Sequence, residues 1–480
     1  MTEYPTPAHL DYNLIDDDDS YKGSHPFLMP NEVARVYSYA ESRGGQHDAV
    51  MSHGLQGWLA HRLMTPITAE NIEESADFAH AHGTPFAKDG WRHILNKHGG
   101  FLPLDIRGVE EGMMIPVKTP MISVTNLDEG LPWLAGKIET SLLRNTWLAS
   151  SLATRFFHAK LKIKKHFDRT ADGDYSGLPF AFLDFSSRGV AGYDANEVGG
   201  TAYLTCFMGS DSKPAVRYCN RYYHSKMSGF SGPATEHSIM CEWGSDGPTV
   251  IRALLGRAKA MGAKWISIVG DTWNIYNFVD ACANMASEFQ EAGITLVVRP
   301  DSGKIADVLT DIIPVIAAGF GSCTNGQGFE VLNGVKVLWP DGIDEDNLTR
   351  PFQVAETLKV SAVSIMVASG GGMFVHGMER DLQKWAFKAS AKQNYGETEW
   401  IGLAKDPITD PGKRSKMGRH IVLKQEDGSF QTLSNIDSKS YDASMDNAKS
   451  LLIPRYTTAK LLNQTSIDTI RTRVDSYMGL

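Results

Sequence analysis

A chain of 480 residues that is 42% hydrophobic and 21% charged carries too much apolar surface for a disordered protein. It contains no apolar run of the roughly eighteen residues that a membrane span requires. Forty-seven Lys plus Arg against 56 Asp plus Glu leave a net charge of −9, which a polyphosphate backbone repels, so nucleic acid and membrane are both set aside as partners while a small anion in a local cationic pocket is not. The length exceeds what one hydrophobic core supports, and two domains are expected. The five cysteines, Cys206, Cys219, Cys241, Cys282 and Cys323, are widely spaced without a CxxC pair, which argues for a reducing compartment. The acidic N-terminus lacks the apolar segment of a secretory signal, and a cytoplasmic location is expected.

Along the chain, the first 150 or so residues read as an α+β region. They show a helix from Ala69 to His82 ending at Gly83 and a strand-like stretch from Ile115 to Val124. His80/His82 and His93/His98 read as surface positions, since no histidine pair has a tight ligand spacing. The basic run Lys160, Lys162, Lys164 and Lys165 reads as a solvated face. From there the pattern changes to short apolar runs, each followed by polar or glycine residues: Phe180 to Phe185, Ala202 to Phe207, Trp265 to Val269, Thr295 to Val298, Val335 to Leu338 and Ala362 to Val367. Between them lie helical stripes: Ile251, Leu254, Leu255 and Ala258; then Ile275, Phe278, Val279, Cys282, Met285 and Phe289; then Ile305, Val308, Leu309 and Ile312. This alternation implies parallel βαβ units and a (β/α) barrel over 179–389. The polar tail, with a strand at His420 to Lys424, is expected to rejoin the N-terminal region, so that 1–178 and 390–480 form one discontinuous α+β domain.

In parallel α/β architectures the ligand site lies where the strands end. Six such ends carry charge or glycine: Asp184 to Gly189, Gly209 to Asp211, Gly270-Asp271, Arg299 to Gly303, Pro340 to Gly342, and Ser369 to Gly372. A single charged residue after a strand is most often a helix cap; six ends in register point to a site. The triple glycine suits either a flexible turn or a phosphate, because no Cβ blocks close approach and backbone N–H groups can face the oxygens. Arg380 and Lys388 lie just downstream for the same anion. Arg43, Arg188 and Arg299, with Lys405, Lys413, Arg414 and Lys416, suffice for a second anion, although the tail lysines also fit a solvated patch. Asp301 and Asp341 suit either Mg²⁺ or ribose hydroxyls. His237 follows Glu236 among small, turn-forming residues, where a carboxylate can orient the imidazole as base or nucleophile; a structural histidine is the alternative.

Taken in order, these segments resemble the nicotinamide phosphoribosyltransferase family from Asp19 to about Arg419. The resemblance is carried by Asp19 to Lys22, Tyr37 to Tyr39 with Arg43, Gly54 to Gln56, Asp184 to Val190, Ala234 to Ser238, Arg299 to Gly303, Ser369 to Gly372, Arg380-Asp381 and Lys405 to Pro407. It implies the irregular (β/α) barrel of type II phosphoribosyltransferases, a homodimer with shared active sites, and transfer of phosphoribosyl from phosphoribosyl diphosphate to nicotinamide, with Mg²⁺ as cofactor. It further implies that Phe185 and the second subunit's Tyr21 sandwich the pyridine, that Arg188 lies beside it, and that Asp211 accepts a hydrogen bond from the carboxamide. The 5′-phosphate is expected on Gly370, Gly371 and Arg380 with Lys388 across the dimer. The ribose is expected on Asp301 and Asp341, and the diphosphate with Mg²⁺ on Arg299 and His237, with Arg43 and Lys405 from the second subunit, and with Lys413 as a further candidate. Asp341 and Asp271 are the expected metal residues. The resemblance also implies that ATP, as co-substrate, phosphorylates His237, with Glu236 orienting it. Asn274 departs from the family's usual aspartate, and Gly270, Pro340 and Ala386 are further departures. A nicotinate phosphoribosyltransferase and an inactive binding or scaffold relative are the competing readings. Asp211 favours nicotinamide, because an ionised aspartate welcomes an amide N–H and repels a carboxylate.

Overall fold

Two ten-residue strands from opposite ends of the sequence, Val33–Ser42 and Trp385–Asn394, pair antiparallel in the computed structural model, which describes residues 12–409, 413–446 and 450–480. They lie within a seven-stranded antiparallel sheet that runs Ile401–Gly402, Trp385–Asn394, Val33–Ser42, Ile122–Asn126, Leu104–Gly108, Ile453–Thr457, Lys460–Leu461. Tail strands thus flank N-terminal ones, and the segments Met1–Ser151, Tyr222–His224 and Glu379–Arg473 form one unit. Its core gathers Trp58, Leu63, Ile94, Ile106, Val124 and Phe387. The helix Ala69–His82 starts on a Thr68/Asn71 capping box and stops at Gly83, whose φ of 81° is readily adopted by glycine. The expected strand over Ile115 to Val124 is two strands, Met114–Pro116 and Ile122–Asn126, because Lys118 turns the chain at a φ of 63°.

The second unit comprises Leu152–Arg221, Ser225–Met378 and Val474–Leu480. Its six parallel strands run in the order Gly209–Ser210, Phe182–Asp184, Ile365–Ser369, Val335–Trp339, Thr295–Arg299, Trp265–Val269. The two edges of this sheet are joined by the segment from Phe230 to Thr235. Phe230 bridges to Gly209 and Ala234 to Ser267, with Ser210 N–H donating to the Phe230 carbonyl at 2.9 Å and Thr235 N–H to the Ser267 carbonyl at 2.9 Å. Pro233 has no N–H to donate, and a Cβ on Gly232 would sit 2.4 Å from the Trp265 ring, so this stave closes the barrel without forming a regular strand. Val297, Leu338 and Ala368, with Leu183, Phe185, Trp265 and Met366, pack together from the strands.

Residues Ala202 to Phe207, expected as a strand, instead end the helix Tyr193–Leu204 and the turn after it. Glycine at 199 and 200 lets this helix press against its neighbours: a Cβ on Gly200 would lie 2.3 Å from that of Ala215. Tyr203, fully buried, donates to the carbonyls of Phe182 and Gly209. The barrel strand is the short Gly209–Ser210. The stripe from Ile275 to Phe289 is likewise two helices, Ile275–Asn284 and Ala286–Ala292, broken at Met285. Lys160 is buried on an ion pair with Asp475 rather than solvated. The two units divide at Ser151/Leu152, inside the helix Glu139–Thr170, and again at Met378/Glu379, where the sequence suggested 178/179 and 389/390. Among the described residues no helix is long and apolar enough to cross a membrane.

Candidate active site

Asp184 ends its strand with no exposure to solvent. One carboxylate oxygen accepts from the Ser186 N–H at 2.9 Å and the other from the Ser210 hydroxyl at 2.8 Å, while its carbonyl accepts from the Asp211 N–H. Burial pushes its pKa up, and these donors oppose that shift. Asp184 therefore clasps the two turns that present Phe185 and Arg188 on one side and Asp211 on the other. Ser231 donates to Asp211 at 2.5 Å, a contact for which the sequence offered no signal.

Phe185, Asp211, Ala234 and Arg299 line two cavities at once. One, of about 590 Å³, is the barrel lumen, walled by Phe180, Leu183, Trp265, Val297, Leu338 and Met366. The other, of about 940 Å³, is a polar cleft above the strand ends, lined by Arg188, Glu236, Asp301, Asp341 and Gly370 to Gly372. The shared residues form a collar where an apolar slot opens into a charged cleft, a shape and polarity suited to a flat ring below and an anionic group above.

Arg299 is 8% exposed and donates to the Thr235 carbonyl at 2.6 Å. Burial pulls its pKa down, and Asp301, Asp211, Asp271 and Glu236 hold its charge. His237 opens the helix His237–Trp243. Its Nε2 lies 3.4 Å from Asp301 and 3.8 Å from Asp271, and its Nδ1 lies 3.1 Å from the Thr272 hydroxyl. Glu236, expected to orient this imidazole, accepts instead from the Ser238 hydroxyl at 2.5 Å: as the residue before the helix it is in extended conformation and points along the turn. Asp271, Asp301 and Thr272 take the orienting position, and nothing in the sequence spacing brought Thr272 to His237. Ser302 donates to one oxygen of Asp271, while the other is buried without a hydrogen bond. Asn274, the departure noted above, caps its helix by accepting from the N–H groups of Tyr276 and Asn277.

The glycine run ends the strand Ile365–Ser369. A Cβ on Gly372 would lie 2.5 Å from the Ile343 carbonyl oxygen, and one on Gly371 3.1 Å from that of Gly189, whereas nothing lies within 4 Å of the Cβ direction at Gly370. Gly371 and Gly372 thus answer to packing, and Gly370 leaves space open in the cleft.

The other expected site residues lie in the first unit. Lys388 is partly buried, and burial lowers its pKa; Glu139 opposes this, while Arg43, Lys405 and Arg380 lower it further, so these four cations share one neighbourhood. Arg43 donates to the Arg414 carbonyl at 2.7 Å, and Arg380 pairs with Asp381 at 3.0 Å. Tyr21 is 59% exposed beside His25, and Lys413 is exposed.

The nicotinate phosphoribosyltransferase (NAPRTase) family pattern matches residues 180–447, and that of the nicotinamide phosphoribosyltransferase N-terminal domain matches 13–106. A nicotinamide phosphoribosyltransferase of Xanthomonas campestris pv. campestris is 32% identical over 97% of this chain and 98% of its own, and one of Acinetobacter baylyi is 28% identical over 85% and 88%. The fold is shared with the nicotinate-nucleotide pyrophosphorylase of Pyrococcus furiosus (TM-score 0.60, 14% identity, 100% of this chain and 98% of that one) and human nicotinic acid phosphoribosyltransferase (TM-score 0.56, 16% identity, 96% and 93%). With more than half its length matched and a relative above 30% identity along nearly all of it, the chain belongs to the nicotinate phosphoribosyltransferase family and carries the N-terminal domain of its nicotinamide phosphoribosyltransferases.

Proposed function

We propose that the chain is a nicotinamide phosphoribosyltransferase, transferring the phosphoribosyl group of phosphoribosyl diphosphate to nicotinamide and releasing diphosphate. The observation that carries this reading is the collar of Phe185, Asp211 and Arg299 shared by lumen and cleft. A pyridine ring stacked on Phe185 places its carboxamide toward Asp211 and its ring nitrogen toward the sugar. The pyridine lone pair attacks the anomeric carbon as the bond to diphosphate breaks, so no general base is required at the nitrogen. Negative charge grows on the leaving group, and the buried Arg299 guanidinium is placed to meet it.

Mg²⁺ is part of the proposal. Asp271 has a buried oxygen without a hydrogen bond, and the charges of Asp271 and Asp341 both reach Asp301, so carboxylate oxygens, the donors a hard cation takes, are at hand beside the substrate phosphates. When bound, the ion supplies positive charge that neutralises the diphosphate. ATP as co-substrate is also proposed, with His237 as phosphoryl acceptor: the ring is oriented between the Asp301 carboxylate at Nε2 and the Thr272 hydroxyl at Nδ1. Tyr21, Arg43, Lys388, Lys405 and Lys413 are proposed to complete the site from the second subunit of a homodimer; in support, the charges of Arg43 and Lys405 both bear on Lys388, a cationic neighbourhood suited to phosphate. A cytoplasmic location is proposed on the five cysteines, an odd number, widely spaced and without a CxxC pair.

The test is formation of each mononucleotide from nicotinamide or nicotinate with Mg²⁺ and phosphoribosyl diphosphate, with and without ATP. Nicotinamide should be selected, and Asp211→Asn should erode the preference by about tenfold or more, the factor that about 1.4 kcal/mol represents. Equal or faster product from nicotinate with the unaltered chain overturns the assignment. ATP should raise the rate only while His237 is present.

The pH profile supplies a second expectation. Burial raises the pKa of Asp301, Arg299 lowers it, and Asp271 and Asp341 raise it further. If ionised Asp301 accepts the ribose hydroxyls, kcat/KM is lost as pH falls through a midpoint above the ordinary aspartate value of 3.8. Asp341→Asn removes one like charge, so the midpoint should move to lower pH; a profile that stays in place separates the two carboxylates.

A further inference from the structure

We propose that His93, His98 and Asp128 form a binding site in the first unit for a borderline divalent cation such as Zn²⁺. Both histidines belong to the helix Lys88–His98, which Gly99 ends in the left-handed conformation at a φ of 61°. Asp128 follows the strand Ile122–Asn126. Nε2 of His93 is 2.9 Å and Nε2 of His98 2.7 Å from the same carboxylate oxygen, and the ligand atoms of all three residues lie within 4.8 Å of one another. The rings meet at 72° rather than stacking, so their nitrogens converge from different directions.

The carboxylate is built in. Its side chain is 6% exposed, its second oxygen accepts from the Gly130 N–H at 2.9 Å, and its carbonyl accepts from the fully buried Asn126 amide at 2.8 Å. One oxygen thus faces three donors, the third being Lys97 at 2.9 Å. Such crowding of donors on one anionic oxygen is what a single dication relieves: it replaces the two ring protons and displaces the 58% exposed lysine. The end of the helix adds the negative pole of its dipole. Two nitrogens and one oxygen leave a fourth position for water, and nitrogen donors select Zn²⁺, Co²⁺ or Ni²⁺ over Mg²⁺. His93 is 41% exposed, which gives an entry path. The spacing of five residues matches no familiar ligand motif, which is why the sequence gives these histidines a surface role.

The test uses the full-length protein, stripped with chelator and titrated with Co²⁺ for its visible ligand-field absorption and with Zn²⁺ for bound metal by elemental analysis. His237→Ala serves as the background that removes a competing imidazole. One equivalent should bind in that background, and adding His93→Ala or His98→Ala should weaken binding by about tenfold or more. Lys97→Met should tighten it, because the competing ammonium is gone. Since Lys97 and His93 are exposed, these two variants keep the fold and the outcome remains readable. Failure of the His237→Ala protein to take up an equivalent, or binding unchanged when both His93 and His98 are replaced, overturns the proposal and leaves Asp128 as a hydrogen-bonding clasp at a helix end.

Discussion

Arg299→Met is expected to lower kcat/KM by about two to three orders of magnitude, the range found when a single preorganised donor to developing negative charge is removed. The guanidinium is fixed at its backbone and at its tip. Its strand, Thr295–Arg299, is hydrogen-bonded on both flanks, to Trp265–Val269 and Val335–Trp339. Its tip donates to the Thr235 carbonyl at 2.6 Å, and its Nε is buried without a hydrogen bond. A buried donor left unmatched is costly unless a ligand takes it, and on the proposed function the departing diphosphate would be that ligand. Arg299→Lys keeps the charge but loses the planar fork, so it should recover only part of the rate. Because the tip also ties down the turn that carries His237, unfolding should be followed alongside. A stable Arg299→Met protein that retains more than a tenth of the activity would remove Arg299 from the diphosphate clamp.

What the sequence made legible follows from where chemistry constrains composition. Charged and glycine residues recur at strand ends, and the structure brings Phe185, Arg188, Asp211, Arg299, Asp301, Asp341, Gly370 and Gly371 to one cleft. The strands Trp265–Val269, Thr295–Arg299 and Val335–Trp339 were readable because each is a buried apolar run between helices. The helix through Ala202 was not. Glycine at 199 and 200 looks like a break in a helical pattern, yet here it permits close helix packing, and the apolar residues around Tyr203 are buried on all sides, which erases periodicity. The closing stave from Phe230 to Thr235 was equally hidden, since Gly232 and Pro233 read as a loop while their neighbours bridge both sheet edges. Orientation was the least legible property. Sequence adjacency suggested Glu236 for His237, but adjacent residues diverge where an extended residue enters a helix, and the imidazole meets side chains from two other strand ends instead.

Asp184→Ala is expected to cost about 2–4 kcal/mol of stability, because two buried donors, the Ser186 N–H and the Ser210 hydroxyl, lose their acceptor at once. The loss should reach activity as well. Those donors hold the turns that present Phe185 and Asp211, and a shift of about 1 Å in a positioning group costs roughly a hundredfold in rate. Asp184→Asn separates shape from charge. Its oxygen can still accept from Ser186, and its amide can donate to the Ser210 oxygen, so the clasp survives. Burial raises the pKa of Asp184, which means that ionisation opposes folding at neutral pH. The neutral amide avoids that cost and should stay within about 1 kcal/mol of the unaltered protein. The sign of the pH dependence follows: a carboxyl with a raised folded pKa lends most stability below its unfolded value and loses it as pH rises through the folded value. The unaltered protein should therefore gain on the Asn variant as pH falls from neutrality toward 4, readable by urea unfolding at several pH values. Equal activity in the Ala and Asn variants would show that the two turns keep their places without the clasp.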